Sequence, residues 1–414
     1  MTLVNPLRWT LLFILPLLGS IAYLFLRKPS LSSSDSSPTE RIFEDPCKSI
    51  HFSARSVHKV EGERVLVTGG SGFIGSHLVD LLLSLNYSVT VLDNLSTGSI
   101  EYLDLSNPRL TLVIGDIENR TDLDMAFKNV SGVFHLAAAS KVAPSLKDPR
   151  MATFNVQTNS VGTANVLEMA ANLKVKKFVY AASSTYYGNQ KVPFSENASF
   201  VPSSPYAASK YMGELQTMTY DKLFDLPAVN LRFFMVYGPR QPSTGAYAVV
   251  TGKFHDQKMQ GLPLTIEGDG SQFRDFVHVQ DVVRACVLAY QNPTTRGVTI
   301  NIGSGEAFTV KELANLISDN QVYKPARLND LKGTLASTCA AKRLLGFSTI
   351  YNFKEEVLKS FSDSSIWKLP DVIEKVSRFI PEWIHLSTIE RNQAILNLDV
   401  SMRNMLLQSI HTNS

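Results

Sequence analysis

The sequence predicts an α/β protein: a doubly wound parallel sheet, a smaller C-terminal region beyond it, and a separate apolar helix at the N-terminus. Three observations carry this prediction. Residues 64 to 94, "RVLVTGGSGFIGSHLVDLLLSLNYSVTVLDN", run from a β-branched strand through three glycines into a helical pattern and on to a second strand. Strand-like runs then recur at 109–117, 132–138, 176–183 and 228–233, separated by helical stretches, which is the rhythm of a parallel sheet with helices on both faces. From Trp9 to Leu26, "WTLLFILPLLGSIAYLFL" holds 18 residues without a charge.

That apolar run spans residues 1–28 with its flanks, Arg8 on one side and Arg27 with Lys28 on the other. It reads as a membrane signal-anchor making the protein single-pass; the alternatives are a cleaved signal peptide ending near Ala22 and a leader to a plastid-like compartment. The flanking charges nearly balance, so the positive-inside rule barely chooses an orientation. Residues 29–62, opening with "PSLSSSDSSPTE", read as a flexible polar stem. The 40 basic and 37 acidic residues are spread without a basic block, so no nucleic-acid partner is expected. Cys47, Cys286 and Cys339 are odd in number, far apart and not in metal-ligand spacing, which predicts neither a disulfide framework nor a metal site.

In the first βαβ unit, Ile74, Leu78, Leu81 and Leu82 share a helix face, and Gly69, Gly72 and Gly75 form GxxGxxG. Glycines permit a tight turn and a close backbone approach to a pyrophosphate, whose oxygens meet the bare N–H groups of the helix start. Asp93 ends the next strand, where a carboxylate accepts from a ribose 2′-hydroxyl and repels a 2′-phosphate; the cofactor is therefore read as NAD on a Rossmann-like fold. Further on, "YAASSTYYG" (180–188) places Ser183, Ser184 and Thr185 at a strand end with no carboxylate, and "YAASK" sets Tyr206 and Lys210 four apart on one helix face. A nearby ammonium and the positive nicotinamide ring are expected to bring the Tyr206 phenol towards general-base strength near neutral pH.

With "TGGSGFIG", "VLDNLSTG", "GDI", "HLAA", "SSTYYG", "YAASK", "LRFFMVYGPRQ", "GDGSQFRDFVHVQD" and "NIGSG" in this order, residues 63–360 resemble the extended short-chain dehydrogenase/reductases that modify nucleotide sugars, the NAD-dependent epimerase/dehydratase family. Within it, "YAASSTYYG" and "RQPSTGAYAVV" look most like UDP-glucose and UDP-N-acetylglucosamine 4-epimerases. The resemblance implies a bound NAD that takes a hydride from carbon 4 of the sugar and returns it, with Ser183, Tyr206 and Lys210 as catalytic residues. It implies a cofactor site of Gly69, Gly72, Phe73, Ile74, Gly75, Asp93, Asn94, Gly98, Asp116, Ile117, Leu136, Ala137, Ala138, Asn159, Tyr206, Lys210 and Phe233, mainly within 63–240. It implies a UDP-sugar site of Lys141, Ser183, Ser184, Tyr206, Arg274, Arg327, Asp330 and Thr334, its substrate-specific part within 241–360. Dehydratases and decarboxylases of the family carry acidic residues after the serine, so the hydroxyls here point to an epimerase; a UDP-glucuronate decarboxylase or 4-epimerase and an inactive nucleotide-sensing relative are the alternatives. The sequence departs from many relatives at Met235, Phe233 and Asn329.

Residues 361–414 read as a helical extension, with a capping-box spacing from Ser387 to Glu390 and charges at Arg391, Asp399 and Arg403 that argue against a second membrane segment. A homodimer is expected. The anchor and stem suggest a Golgi or endoplasmic-reticulum membrane with a luminal catalytic domain. Sequons stand at Asn86, Asn94, Asn119, Asn129 and Asn197, and Asn94, next to Asp93, is expected to stay bare.

Overall fold

The computed structural model describes residues 45, 47, 52–140, 142–242, 249–327 and 331–362, apart from the side chains of 142, 143 and 362. The apolar run 9–26, most of the stem, Lys141, Asp330 and the extension from 363 lie outside the described residues. Among the described residues no helix is long and apolar enough to cross a membrane.

Seven parallel strands form the main sheet: β1 (Arg64–Thr68), β2 (Ser88–Asp93), β3 (Leu110–Ile114), β4 (Gly132–His135), β5 (Lys177–Ser183), β6 (Ala228–Phe233) and β10 (Val298–Ile302). Their spatial order is β10-β6-β5-β4-β1-β2-β3, reversing at β1, so a crevice opens beyond the carboxyl ends of β1 and β4. Successive strand side chains face opposite ways, and both faces are covered. Val65 and Val67 enter one core with Val89, Val91, Leu78, Leu82, Val229, Leu231 and Cys286; Leu66 enters the other with Val133, Leu167, Phe178 and Tyr180. Burying each such aliphatic side chain stabilises the fold by roughly 1.5–3 kcal/mol.

Helices α1 (Phe73–Ser84), α2 (Arg120–Ala126), α3 (Pro149–Val156), α4 (Thr163–Asn172) and α5 (Pro205–Leu223) lie between the strands, and a π-helical turn, Gln157–Gly162, joins α3 to α4. Beyond β6, a smaller region comprises β7 (Met235–Tyr237), α6 (Val250–Met259), β8 (Leu264–Glu267), β9 (Phe273–His278), β11 (Ala307–Thr309), α8 (Val310–Ile317), β12 (Gln321–Lys324) and α9 (Phe353–Ser362). Helix α7 (Val279–Gln291) leads from β9 back under the sheet, against α1. The smaller region has its own core of Tyr237, Phe254, Ile266, Phe276, Phe308, Leu313 and Phe353. Helix α8 starts at a capping box in which Thr309 and Glu312 satisfy each other's backbone N–H.

Two expectations are corrected here. Cys47 and Cys339, 292 residues apart, form a disulfide with their Cα atoms 5.3 Å apart; spacing in the sequence hid a pairing made only by the fold. Part of the segment read as stem packs on the domain: the His58 amide donates to the Gln291 side chain at 3.0 Å, and Val57 and Val60 pack against the main core. Apolar residues spaced along a polar stretch attach it.

Candidate active site

The turn from β1 to α1 is shaped by two close approaches. Gly69 sits at φ +71°, and a Cβ there would lie 2.7 Å from the Ala137 nitrogen; a Cβ on Gly75 would lie 2.0 Å from the Gly69 carbonyl oxygen. Gly72 caps α1 without a side chain, so the first-turn amides, including those of Phe73 and Ile74, face the crevice end of β1 without a capping side chain. Ser71 is fully buried, and its Oγ has no hydrogen-bond partner among the described residues. An orphaned hydroxyl inside a glycine cradle at a helix start is a site built for an anionic oxygen.

Asp93, at the end of β2, accepts from the Ser71 and Leu95 amides, both at 2.9 Å. Burial pushes its carboxyl up to about 6 against the pull of those two donors. Asn94 donates to Asp116 at 2.8 Å, tying the loop after β2 to the loop after β3 that carries Ile117; Gly98 lies against Ser71, where a Cβ would come within 2.7 Å of its backbone. After β4, the Leu136 amide donates to the Thr68 carbonyl at 3.1 Å and the Ala137 amide to the Thr68 hydroxyl at 3.2 Å, with Ala138 following. Asn159 is occupied: it accepts from the Ala139 amide at 2.7 Å and donates to the Ala139 carbonyl at 3.0 Å and to Ser209 at 2.9 Å. It therefore holds the 136–139 loop to α5, and acts on anything bound there through that loop.

Ser183 ends β5, in register with Phe233 of β6, and the Ser184 amide donates to the Phe233 carbonyl at 3.1 Å. Ser183 Oγ lies 2.9 Å from Thr185 Oγ1 and accepts from the Thr185 amide at 3.2 Å. Helix α5 begins at Ser204, whose side chain accepts from the Ala207 amide, and Pro205 follows at the first helical position. This start sets Tyr206 in the first turn of the helix, as its second residue, with Ser183 among the groups that act on its phenol. The Lys210 ammonium lies 4.4 Å from the centre of the Tyr180 ring. Burial raises the Tyr206 phenol, with the Ser183 bond opposing, and pushes Lys210 down to about 7. Desolvation thus dominates at both groups in the chain alone; the lowering expected of the phenol belongs to the state in which the positive nicotinamide ring also lies against it.

A group that the motifs did not single out lies beneath these residues. Arg232 of β6 grips buried Glu214 with Nη2 at 2.6 Å and Nε at 3.0 Å; the Tyr186 hydroxyl donates to Glu214, and the Ser183 amide donates to Tyr186 Oη at 3.2 Å. Arg232 also reaches the Tyr187 hydroxyl at 2.6 Å. Glu214 stands one helical turn beyond Lys210, so extending the Tyr206–Lys210 spacing by four would have found it.

In the smaller region Arg274 is buried in β9, its Nη1 2.9 Å from the Phe273 carbonyl, and Thr334, also buried, donates its amide to the same carbonyl at 3.0 Å. Arg274 and Thr334 therefore share one wall. Arg327 follows β12 and pairs with Glu267 of β8, its side chain half exposed. Lys141 and Asp330 cannot be placed with them, as both fall outside the described residues.

Residues 65–303 match the NAD dependent epimerase/dehydratase family. A UDP-glucose 4-epimerase of Mycolicibacterium smegmatis is 37% identical over 309 residues, covering 72% of this chain and 97% of its own. The structure of a UDP-glucose 4-epimerase of Thermotoga maritima with UDP-glucose superposes with a TM-score of 0.68 at 34% identity, over 73% of this chain and 99% of that one. A UDP-glucuronic acid 4-epimerase of Bacillus cereus, in complex with UDP-glucuronic acid and NAD, gives 0.67 at 31% identity over 72% and 98%. The Bacillus cereus enzyme holds NAD, and the matched family is NAD dependent; the orphaned Ser71 hydroxyl, the glycine cradle and the Asp93 carboxylate fit that cofactor. With the cradle, the Ser183, Tyr206 and Lys210 array and these matches together, the chain belongs to the NAD-dependent epimerase/dehydratase family.

Proposed function

We propose that the chain is a nucleotide-sugar 4-epimerase that inverts carbon 4 of a UDP-hexose, glucose and galactose or their N-acetyl forms, through a transient 4-keto sugar. One observation carries this reading. The end of β5 offers hydroxyls only, Ser183, Ser184 and Thr185, and the carboxylate that lies beneath it, Glu214, is consumed by Arg232 and Tyr186. Elimination or decarboxylation needs a further proton carrier, which this strand end lacks, whereas epimerisation needs only one hydride to leave and return.

NAD, when bound, supplies the hydride acceptor and then the donor. Tyr206 takes the proton of the 4-hydroxyl and returns it, Ser183 holds that hydroxyl, and Lys210 anchors the nicotinamide ribose. Arg274 and Arg327 hold the UDP phosphates and nucleotide, for which guanidinium groups are suited. Lys141, Ser184 and Asp330 complete the proposed substrate set, and Thr334, a small residue, leaves room at carbon 2 for an N-acetyl group.

Two wider features belong to the same proposal. Phe154 and Val161 near α3 and Met212 and Leu215 on α5 are exposed large apolar residues on packed neighbours, which supports a homodimer through that face. A disulfide persists in an oxidising compartment, so Cys47–Cys339 favours a luminal domain behind a single-pass anchor in the Golgi or endoplasmic reticulum. The purified full chain, incubated with a panel of UDP-sugars and its products separated, tests the activity. Interconversion of 4-epimers is expected; release of carbon dioxide and a pentose from UDP-glucuronate would replace this reading by the decarboxylase.

A further inference from the structure

The disulfide does more than join two distant parts of the chain; it fastens a short arm, ahead of the family's matched region, to the wall that carries Thr334. That wall is the segment 333–338, threaded between Phe194 and β9. The Phe194 amide donates to the Leu335 carbonyl at 2.8 Å and the Ser337 amide to the Phe194 carbonyl at 2.9 Å. From the inside, one buried carboxylate holds it: Asp275, next to Arg274, accepts from the Ala336 amide at 3.0 Å, from the Gly305 amide at 3.0 Å and from the Ser304 amide at 2.7 Å. A second carboxylate holds the same two segments from the outside. Asp45, 2% exposed, accepts from the Thr338 amide at 2.7 Å and the Thr338 hydroxyl at 2.5 Å, while its own amide donates to the Gly305 carbonyl at 3.1 Å. Asp45 also accepts from the Cys47 amide at 3.3 Å, Lys342 donates to the Cys47 carbonyl at 2.5 Å, and Cys47 is bonded to Cys339, the residue after Thr338.

We propose that this arm is a redox-locked clasp on the sugar-nucleotide wall, with Asp45 as a positioning residue acting through Thr338 on Thr334 and Arg274. The proposal rests on the reading that Thr334 faces the sugar. Charge-assisted bonds to one carboxylate must oppose the entropy of ordering Asp45 and Cys47, and a covalent bond beside them makes their re-formation intramolecular. A dithiol opens the clasp: its two thiols are oxidised to a disulfide, the Cys47–Cys339 bond takes the two electrons, and each cysteine sulfur ends as a thiol with one proton. Cys286, the remaining cysteine, is fully buried in α7 and takes no part. The cofactor cradle at 69–98 makes none of these contacts, so the clasp acts on sugar-nucleotide binding and leaves NAD in place.

The test compares the oxidised full-length protein with the same protein treated with dithiothreitol, and with the Cys47→Ser/Cys339→Ser, Asp45→Asn and Asp45→Ala variants. Hydrogen exchange of residues 333–338, bound NAD, kcat and KM are read together. On reduction, exchange at 333–338 rises at least about tenfold and KM for the turned-over UDP-sugar rises about tenfold, while kcat and NAD content hold. The double serine variant matches the reduced wild type and no longer responds to dithiothreitol; Asp45→Asn, which keeps the shape, falls between wild type and Asp45→Ala. Should a variant lose its NAD through misfolding, the reduced wild type still decides the matter. Exchange and KM that do not move on reduction overturn the clasp, even if epimerisation is found. Exchange that rises in a protein that turns over no UDP-sugar upholds the clasp and overturns the epimerase reading instead.

Discussion

On the proposed reading, the two halves of this molecule solve the same problem, holding a nucleotide, by opposite means. The cofactor half brings its ligating groups together through consecutive βα turns: Gly69, Gly72, Gly75 and Asp93 lie within one βαβ unit, and backbone geometry alone aims them. The substrate half gathers Thr334, Arg274, Ser304 and Asp45 from four distant stretches and relies on buried carboxylates, Asp275 and Asp45, to hold loop to loop. The first arrangement is local and tolerates change elsewhere; the second depends on single side chains, any one of which can loosen it.

The largest expected effect lies where the halves meet. Tyr206→Phe should lower turnover by about 10²–10⁴-fold, the usual worth of a general acid–base group, while bound NAD, counted by absorbance after denaturation, stays at the wild-type level. Next, Glu214→Leu leaves the Arg232 guanidinium buried without its carboxylate and should destabilise the fold by roughly 3–5 kcal/mol in urea titrations. Arg327→Ala, which removes a half-exposed ion pair with Glu267 in the other half, should cost no more than about 1 kcal/mol. Equal costs would mean that burial of the Arg232–Glu214 pair adds nothing to its worth.

A smaller effect separates substrates. Thr334→Tyr should lower kcat/KM for UDP-N-acetylglucosamine by about 10–100-fold and spare UDP-glucose, as expected for a clash with one group in a pocket. A wild type that turned over UDP-glucose and rejected the N-acetyl sugar would remove the basis for this variant.

Smaller again is the pH dependence of cofactor affinity. Asp93 has a carboxyl raised to about 6, and in its proposed role the ionised form accepts from a ribose hydroxyl. Affinity for NAD should therefore be full above pH 6 and weaken by up to about tenfold per pH unit as the pH falls below it, with Asp93→Asn showing no such slope. The same raised value works the other way on folding: the stability linked to this proton is present below the unfolded value near 3.8 and is lost as the pH rises through about 6.

The contrast between the halves also explains what could be read from the chain. Strand-like runs were readable because a parallel sheet covered on both faces needs continuous apolar stretches; β6 occupies residues 228–233 as expected, and β3 and β4 are trimmed at their ends. The glycine turn and the Tyr206–Lys210 pair were readable because each lies within one turn or one helix. Glu214 was within reach by the same helical spacing, but Arg232, which gives it meaning, comes from a different strand. Asp275 and Asp45 carry almost no local signal, since apart from the Cys47 amide their partners lie 29 to 293 residues away. The disulfide was obscured by an odd cysteine count and by a segment whose polar composition looked like a linker. Of the sequons, Asn86, Asn119, Asn129 and Asn197 are exposed, whereas Asn94 is half-buried and spends its amide on Asp116. Glycopeptide mass spectrometry of protein from a secretory host should find Asn94 bare.

The measurement closest to the central claim follows a single hydrogen. UDP-N-acetylglucosamine carrying deuterium at carbon 4 is incubated with the full-length protein in ordinary water, and the products are resolved by NMR and mass spectrometry. The account predicts the 4-epimer with unchanged mass and the deuterium still on carbon 4, because the hydride that leaves is the one that returns. A product that has lost the label to solvent, or one formed with loss of water or carbon dioxide, would contradict it.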